Sequence, residues 1–284
     1  MYWLKIDVST PEEYRDAVGN VFFEMGSGVE EPASSRLGTG VLRGYFPVET
    51  SPDQVVAEFR RRVENILGRE TPIAVTRMRD EDWSVTWRRG YKPLRFGERL
   101  VVKPTWEPFE AKPGDLVIEL DPGMAFGCGT HPTTAMCLRL LERYVRPGMV
   151  VMDVGTGSGI LAIAAALLGA ETVWAVDEDP VAVRTARENV ALNNLVGRVR
   201  VRDGNLLDDL VEPADLVVAN IVAEVLIALC PEAAMVLEPG GRLILSGILT
   251  GREEMVHRAL AENDFEVEAR LAEGEWVALA GVKI

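Results

Sequence analysis

Cysteine and histidine are scarce in this chain, three of the first and two of the second in 284 residues. Cys128, Cys137 and Cys230 form no Cys-x-x-Cys pair, and His131 and His257 lie far apart in sequence. Neither a disulfide framework nor a zinc site of ordinary ligand spacing has material to build from. The thiols read instead as small buried residues of a reducing compartment. No apolar run is as long as a bilayer span. The opening stretch MYWLKIDVSTPEEYRD carries acids where a secretory leader has its apolar core. These absences lead to the expectation of a soluble, cytoplasmic protein without membrane contact.

Positive charge is short in one half only. The net charge is −14. Residues 1–99 hold 15 Lys and Arg against 16 Asp and Glu, whereas residues 100–284 hold 15 against 28, a balance of −13. Such a surface repels nucleic-acid phosphates and suits a cationic ligand or substrate. No strong direct nucleic-acid binding is therefore expected, and the basic pairs Arg77/Arg79 and Arg88–Arg89 read as solvated charge.

Apolar residues make up 48% of the chain, enough for a sizeable core, and they fall into two patterns. In residues 1–79, YWLKIDV (2–8), TGVLRGYFPV (39–48) and TPIAVTRM (71–78) are strand-like, with a short strand near Val29. TPEEYRDAVGNVFFEM (10–25) begins with a cap at Thr10, Pro11 at the first helical position and acids in the first turn. SPDQVVAEFRRRVENILG (51–68) starts the same way and ends on glycine. The order β-α-β-β-α-β is that of a small ferredoxin-like α+β domain. Residues 80–113 read as a connector with one strand, RLVVKP, and with Trp83, Trp87 and Trp106 pinning it down.

Residues 114–284 alternate differently. VVMDV (150–154), TVWAV (172–176), RVRVR (198–202), DLVVAN (215–220) and RLILSG (242–247) are short apolar strands. Helical runs at 158–169, 180–192, 222–237 and 251–263 separate them. This is the pattern of an α/β, Rossmann-like domain with helices on both faces of a mostly parallel sheet. Two β-like runs around AEGE close the chain as a hairpin and supply one antiparallel strand.

Gly155, Gly157 and Gly159, in MDVGTGSGILAIAA, follow the first strand and open the first helix, where doubly wound folds bind nucleosides. Asp177 ends the next strand, placed to accept ribose hydroxyls. A dinucleotide fingerprint requires G-x-G-x-x-G, but the spacing here is G-x-G-x-G with Asp153 two residues ahead. Asp203 (RDGN) follows the third strand and Asn220 (VVANI) the fourth, so four polar groups at successive strand ends line one crevice. The glycine pattern resembles motif I of class I S-adenosylmethionine-dependent methyltransferases, whose last strand is likewise antiparallel. Many amine and amide methyltransferases of that class have Asn-Pro-Pro-aromatic at the fourth strand end. Here Asn220 remains, in NIVAEVL, without the prolines or the aromatic.

The stretch DPGMAFGCGTHPTTAMCLRLLERY (121–144) leads through Pro132 into an amphipathic helix carrying Met136, Leu140 and Tyr144. With DVGTGSGILAIAA, ANI and the leading α+β unit, it closely resembles the PrmA family, bacterial methyltransferases of large-subunit ribosomal protein eleven. That resemblance covers essentially the whole chain. It implies S-adenosylmethionine as cofactor, S-adenosylhomocysteine as product, and methylation of lysine side chains and the N-terminal α-amine of that ribosomal protein. It further implies that Phe126, Thr130, Thr134, Gly155, Gly157, Gly159, Asp177, Asp203 and Asn220 contact the cofactor or its reacting end. Asn220 would be the catalytic residue, with Phe126 and His131 the weaker candidates. The small domain would recognise the protein substrate, and the connector would let the catalytic domain swing. Rival readings are a methyltransferase of another protein, an RNA or a small molecule, an NAD-dependent oxidoreductase, or a non-catalytic ribosome-binding module.

Overall fold

The computed structural model of the protein describes residues 2–11, 14–25, 29–30, 39–48, 52–79, 92–120, 131–208 and 212–284. The chain divides into two compact units, Met1–Tyr91 and Lys92–Ile284.

In the first unit β1 (Tyr2–Pro11), β2 (Val29–Glu30), β3 (Thr39–Val48) and β4 (Ile73–Arg79) form a sheet in the order β2-β3-β1-β4, all neighbours antiparallel. With α1 (Arg15–Glu24) and α2 (Pro52–Leu67) this is the ferredoxin-like arrangement. Leu4, Ile6 and Val8 alternate on one face of β1 and pack with Val18 and Phe22 of α1 and Phe59 and Val63 of α2. Across β1 and β3, Asp7 faces Arg43 and accepts two of its N–H groups, at 2.6 and 3.1 Å. One expectation fails at the first helix. Thr10 and Pro11 remain in β1, paired with Gly40 and Thr39 of β3, and α1 begins only at Arg15. Pairing along β3 thus claims the residues whose composition suggested a helix start.

The second unit opens with a three-stranded sheet, β5 (Leu94–Phe96), β6 (Leu100–Pro104) and β7 (Leu116–Leu120), in which β6 and β7 run parallel. The main sheet comprises β8 (Val150–Val154), β9 (Thr172–Asp177), β10 (Val199–Asp203), β11 (Ala214–Asn220), β12 (Leu237–Leu249), β13 (Phe265–Glu273) and β14 (Trp276–Lys283). Their order is β10-β9-β8-β11-β12-β14-β13; the first five are parallel and β14 runs antiparallel between β12 and β13. The helices are α3 (Pro132–Tyr144), α4 (Ile160–Leu167), α5 (Pro180–Leu192), α6 (Ala223–Val236) and α7 (Glu253–Glu262).

Both faces of this sheet are covered. Leu216, Val218, Ile244, Ala278 and Ala280 pack with α3 and α4, while the alternate residues Val217, Ala219, Leu243, Leu245 and Leu279 pack with α6 and α7. That alternation explains why the strands read as continuous apolar runs. Helix α4, ILAIAAAL, is apolar all round, and each of its residues Ile160–Ala166 is buried. The strand order reverses between β8 and β11, so the carboxyl ends of β8 and its neighbours border the crevice in which such sheets hold ligands.

Candidate active site

The turn Gly155–Gly159 leads from β8 into α4. Its three glycines have φ of +69°, +55° and +84°, a region that L side chains disfavour. A Cβ on Gly155 would stand 2.4 Å from Ile221 Cγ2, and one on Gly159 would stand 3.3 Å from Ala186 Cα. The first glycine thus admits the segment after β11, and the third lets α4 approach α5. The turn is fastened to the end of β9, where Gly155 and Thr156 both donate to the carbonyl of Val176, at 2.9 and 3.0 Å. The carboxylate of Asp177 then accepts from Gly157 N–H at 2.8 Å and from Asp179 N–H at 3.0 Å. Gly204, just past Asp203, donates to the Asp177 carbonyl at 3.1 Å, so Asp203, exposed, shares the same edge.

Asp153 lies beneath this turn, fully buried. One carboxyl oxygen accepts from Thr156 Oγ1 at 2.6 Å and from Ala162 N–H at 3.0 Å, and the other has no partner among the described residues. Burial is the main reason its carboxyl is pushed up to about 7, with the charge of Asp177 adding to the effect. The carbonyl of Ser158 accepts from the buried amide of Asn189 at 2.8 Å, which ties the turn to α5.

Asn220 ends β11, half-buried. Its amide nitrogen donates to Thr134 Oγ1 at 3.2 Å, and Thr134 is fully buried in the first turn of α3. The adjacent Thr133 carbonyl accepts from Ser246 Oγ of β12 at 3.2 Å. Helix α3 and two strand ends are thereby locked around one amide, whose oxygen has no partner among the described residues. His131 caps α3, its Nδ1 accepting from Thr133 N–H, and its ring meets the Trp276 ring edge-on at 4.9 Å. Burial lowers its pKa, favouring the neutral ring.

The glycine turn, Asp177, Asp203, Asn220 and Thr134 all occupy the carboxyl edge of the main sheet around β8, as a nucleoside site requires. Phe126 and Thr130 lie outside the described residues. With this geometry in place, comparison with known proteins is decisive: a family model described as "Ribosomal protein L11 methyltransferase (PrmA)" matches residues 2–284. The chain belongs to the PrmA family. Among curated relatives, the ribosomal protein L11 methyltransferase of Pelotomaculum thermopropionicum is 46% identical over 99% of this chain and 98% of its own. That of Geobacillus kaustophilus is 40% identical over the whole of both chains. A crystal structure of ribosomal protein L11 methylase from Lactobacillus delbrueckii subsp. bulgaricus is 38% identical with a TM-score of 0.63, covering 68% of this chain and all of that one.

Within this PrmA-family chain, two contributors to the site escaped the sequence reading. Ser246 is a polar residue near the end of an apolar strand, and Asn189 is a polar residue on the buried side of α5. Both are buried and both hold backbone carbonyls of the site. An isolated polar residue at a core position is the signal that would have marked them.

Proposed function

We propose that this protein transfers methyl groups from S-adenosylmethionine to amine nitrogens, lysine side chains and the N-terminal α-amine, of ribosomal protein L11. Family membership supports the donor and the protein substrate, and a ribosomal substrate puts the reaction in the cytoplasm. The observation that carries the chemistry is the Asn220 amide, held at its nitrogen by Thr134 and with an oxygen that has no partner among the described residues.

The residues present suit the cofactor. At Gly155 and Gly159 the left-handed turn leaves little room for a Cβ. The Asp177 carboxylate retains lone pairs for ribose hydroxyls after accepting two backbone N–H groups. Asp203 stands beside it for the adenine amine. The cofactor supplies an electrophilic methyl on a sulfonium and leaves as S-adenosylhomocysteine. The residues of the chain do the positioning. Asn220 accepts an N–H of the neutral amine and aims its lone pair, and Thr134 keeps the Asn220 oxygen presented outward. The ammonium form loses its proton to water, since no carboxylate–histidine pair stands beside Asn220 among the described residues. Orientation is then the main source of acceleration.

The test is to incubate the purified protein with radiolabelled S-adenosylmethionine and ribosomal protein L11 from the same cell. Label on lysine or the N-terminal amine is the expected result. Cofactor binding without transfer would discard the substrate, and absence of binding would discard the whole reading.

A further inference from the structure

The residues just past Asn220 break two local rules at once. Val222 occupies the N-cap of α6 and makes no side-chain cap hydrogen bond, a position where Ser, Thr, Asp or Asn would satisfy a free backbone N–H. It is also 61% exposed. Val225, one helical turn on and on the same face, is 37% exposed, and Leu249, at the end of β12, is 39% exposed. These segments adjoin. Ile221 N–H donates to the Ser246 carbonyl at 3.2 Å, and a Cβ on Gly247 would stand 2.3 Å from the Ile221 carbonyl oxygen. Glu224 in the first turn of α6 pairs with Arg252 at 3.0 Å, just beyond Leu249. An exposed apolar rim therefore begins two residues from the amide proposed to hold the amine. A sequence that gives up both a cap and surface polarity next to a reactive position is serving the site rather than the fold.

We infer that Val222, backed by Val225 and Leu249, is a specificity-determining contact for the methylene stem of the acceptor amine. This rests on the proposed function. A lysine presents four methylenes below its nitrogen, whose apolar surface gains from such a rim while the nitrogen reaches Asn220. An α-amine has no such stem. The rim thus separates two acceptors that share one reacting group.

The experiment compares wild type, Val222→Ser and Val222→Ile with S-adenosylmethionine and ribosomal protein L11, resolving lysine from α-amine methylation by mass spectrometry. Val222→Ser supplies the missing cap, so its Tm is expected to equal or exceed that of wild type. Its ratio of lysine to α-amine methylation is expected to fall about tenfold, mainly through KM for the lysine acceptor, while Val222→Ile restores the ratio. An unchanged ratio in a well-folded Val222→Ser protein overturns the inference and leaves the proposed function standing. Failure of wild type to methylate the ribosomal protein at all overturns both.

Discussion

The small unit is built on rings. Phe22, Phe46 and Phe59 lie with centroids 4.5 to 5.9 Å apart, and its buried polar residues among those described are Thr10 and Thr71. The large unit buries Thr133, Thr134, Asp153, Thr156, Ser158, Asn189 and Ser246. Six of these lie in the first turn of α3, on β8 and the turn after it, or near the end of β12, and the seventh holds the Ser158 carbonyl. Burying polar groups is costly unless each finds a partner. Their concentration on one edge of one sheet therefore separates a unit that must position atoms from one that must only hold its shape. A recognition role for the small unit would accordingly be carried by its surface.

The sharpest attack on this contrast is Phe59→Ala. Removing a fully buried ring costs about 3–5 kcal/mol, which should appear as an early melting transition of the small unit. Cofactor affinity measured by calorimetry should hold, and a parallel loss would show that the units are not independent. Next in size is Asn220→Ala, expected to lower kcat by about 10²-fold through lost orientation with little change in cofactor affinity. An unaltered kcat would remove Asn220 from the chemistry. Asp177→Ala should weaken cofactor binding by about tenfold or more, since charge-assisted hydrogen bonds are lost. Equal affinities in titration calorimetry would sink that assignment.

A last test, read as a slope against pH, concerns Asp153. Its folded-state pKa of about 7 lies above the ordinary 3.8, so between these values the folded protein holds the proton that the unfolded chain has released. Stability contributed by this group is present at low pH and is lost as pH rises through that window. Asp153→Asn, which cannot ionise, should flatten that decline in urea melts across the same range. A slope identical to wild type would show that Asp153 does not set it.

Much of the large unit was legible because its strands and helices are short, regular and separated by glycine or a capping residue. Gly159 opens α4, and Asp179 before Pro180 caps α5. The order of strand-end polar residues also placed the site on one edge. What escaped depends on pairing at a distance. Thr10–Pro11 yields to β3, and β7 becomes a strand by lying parallel to β6 across an eleven-residue link, neither of which local composition encodes. From residue 92 onward the stretch read as connector belongs to the second unit. The hydrogen bond from Asn220 to Thr134 spans 86 positions, so the site's support had to be seen rather than read.

The placement of β14 has a consequence for how the chain is assembled. It is made after β13 yet lies inside it, with β12 on one side and β13 on the other. Among the described residues β13 has no other neighbour in the sheet, so it joins the sheet only through β14. The two pair locally through the Gly274 turn, a contact that closes early because little chain separates its ends. The hairpin then docks as one piece on β12. During synthesis β12 stands as the open edge of the large sheet until the hairpin is complete. A nonsense codon within β14 would therefore remove two strands from the protein, not one.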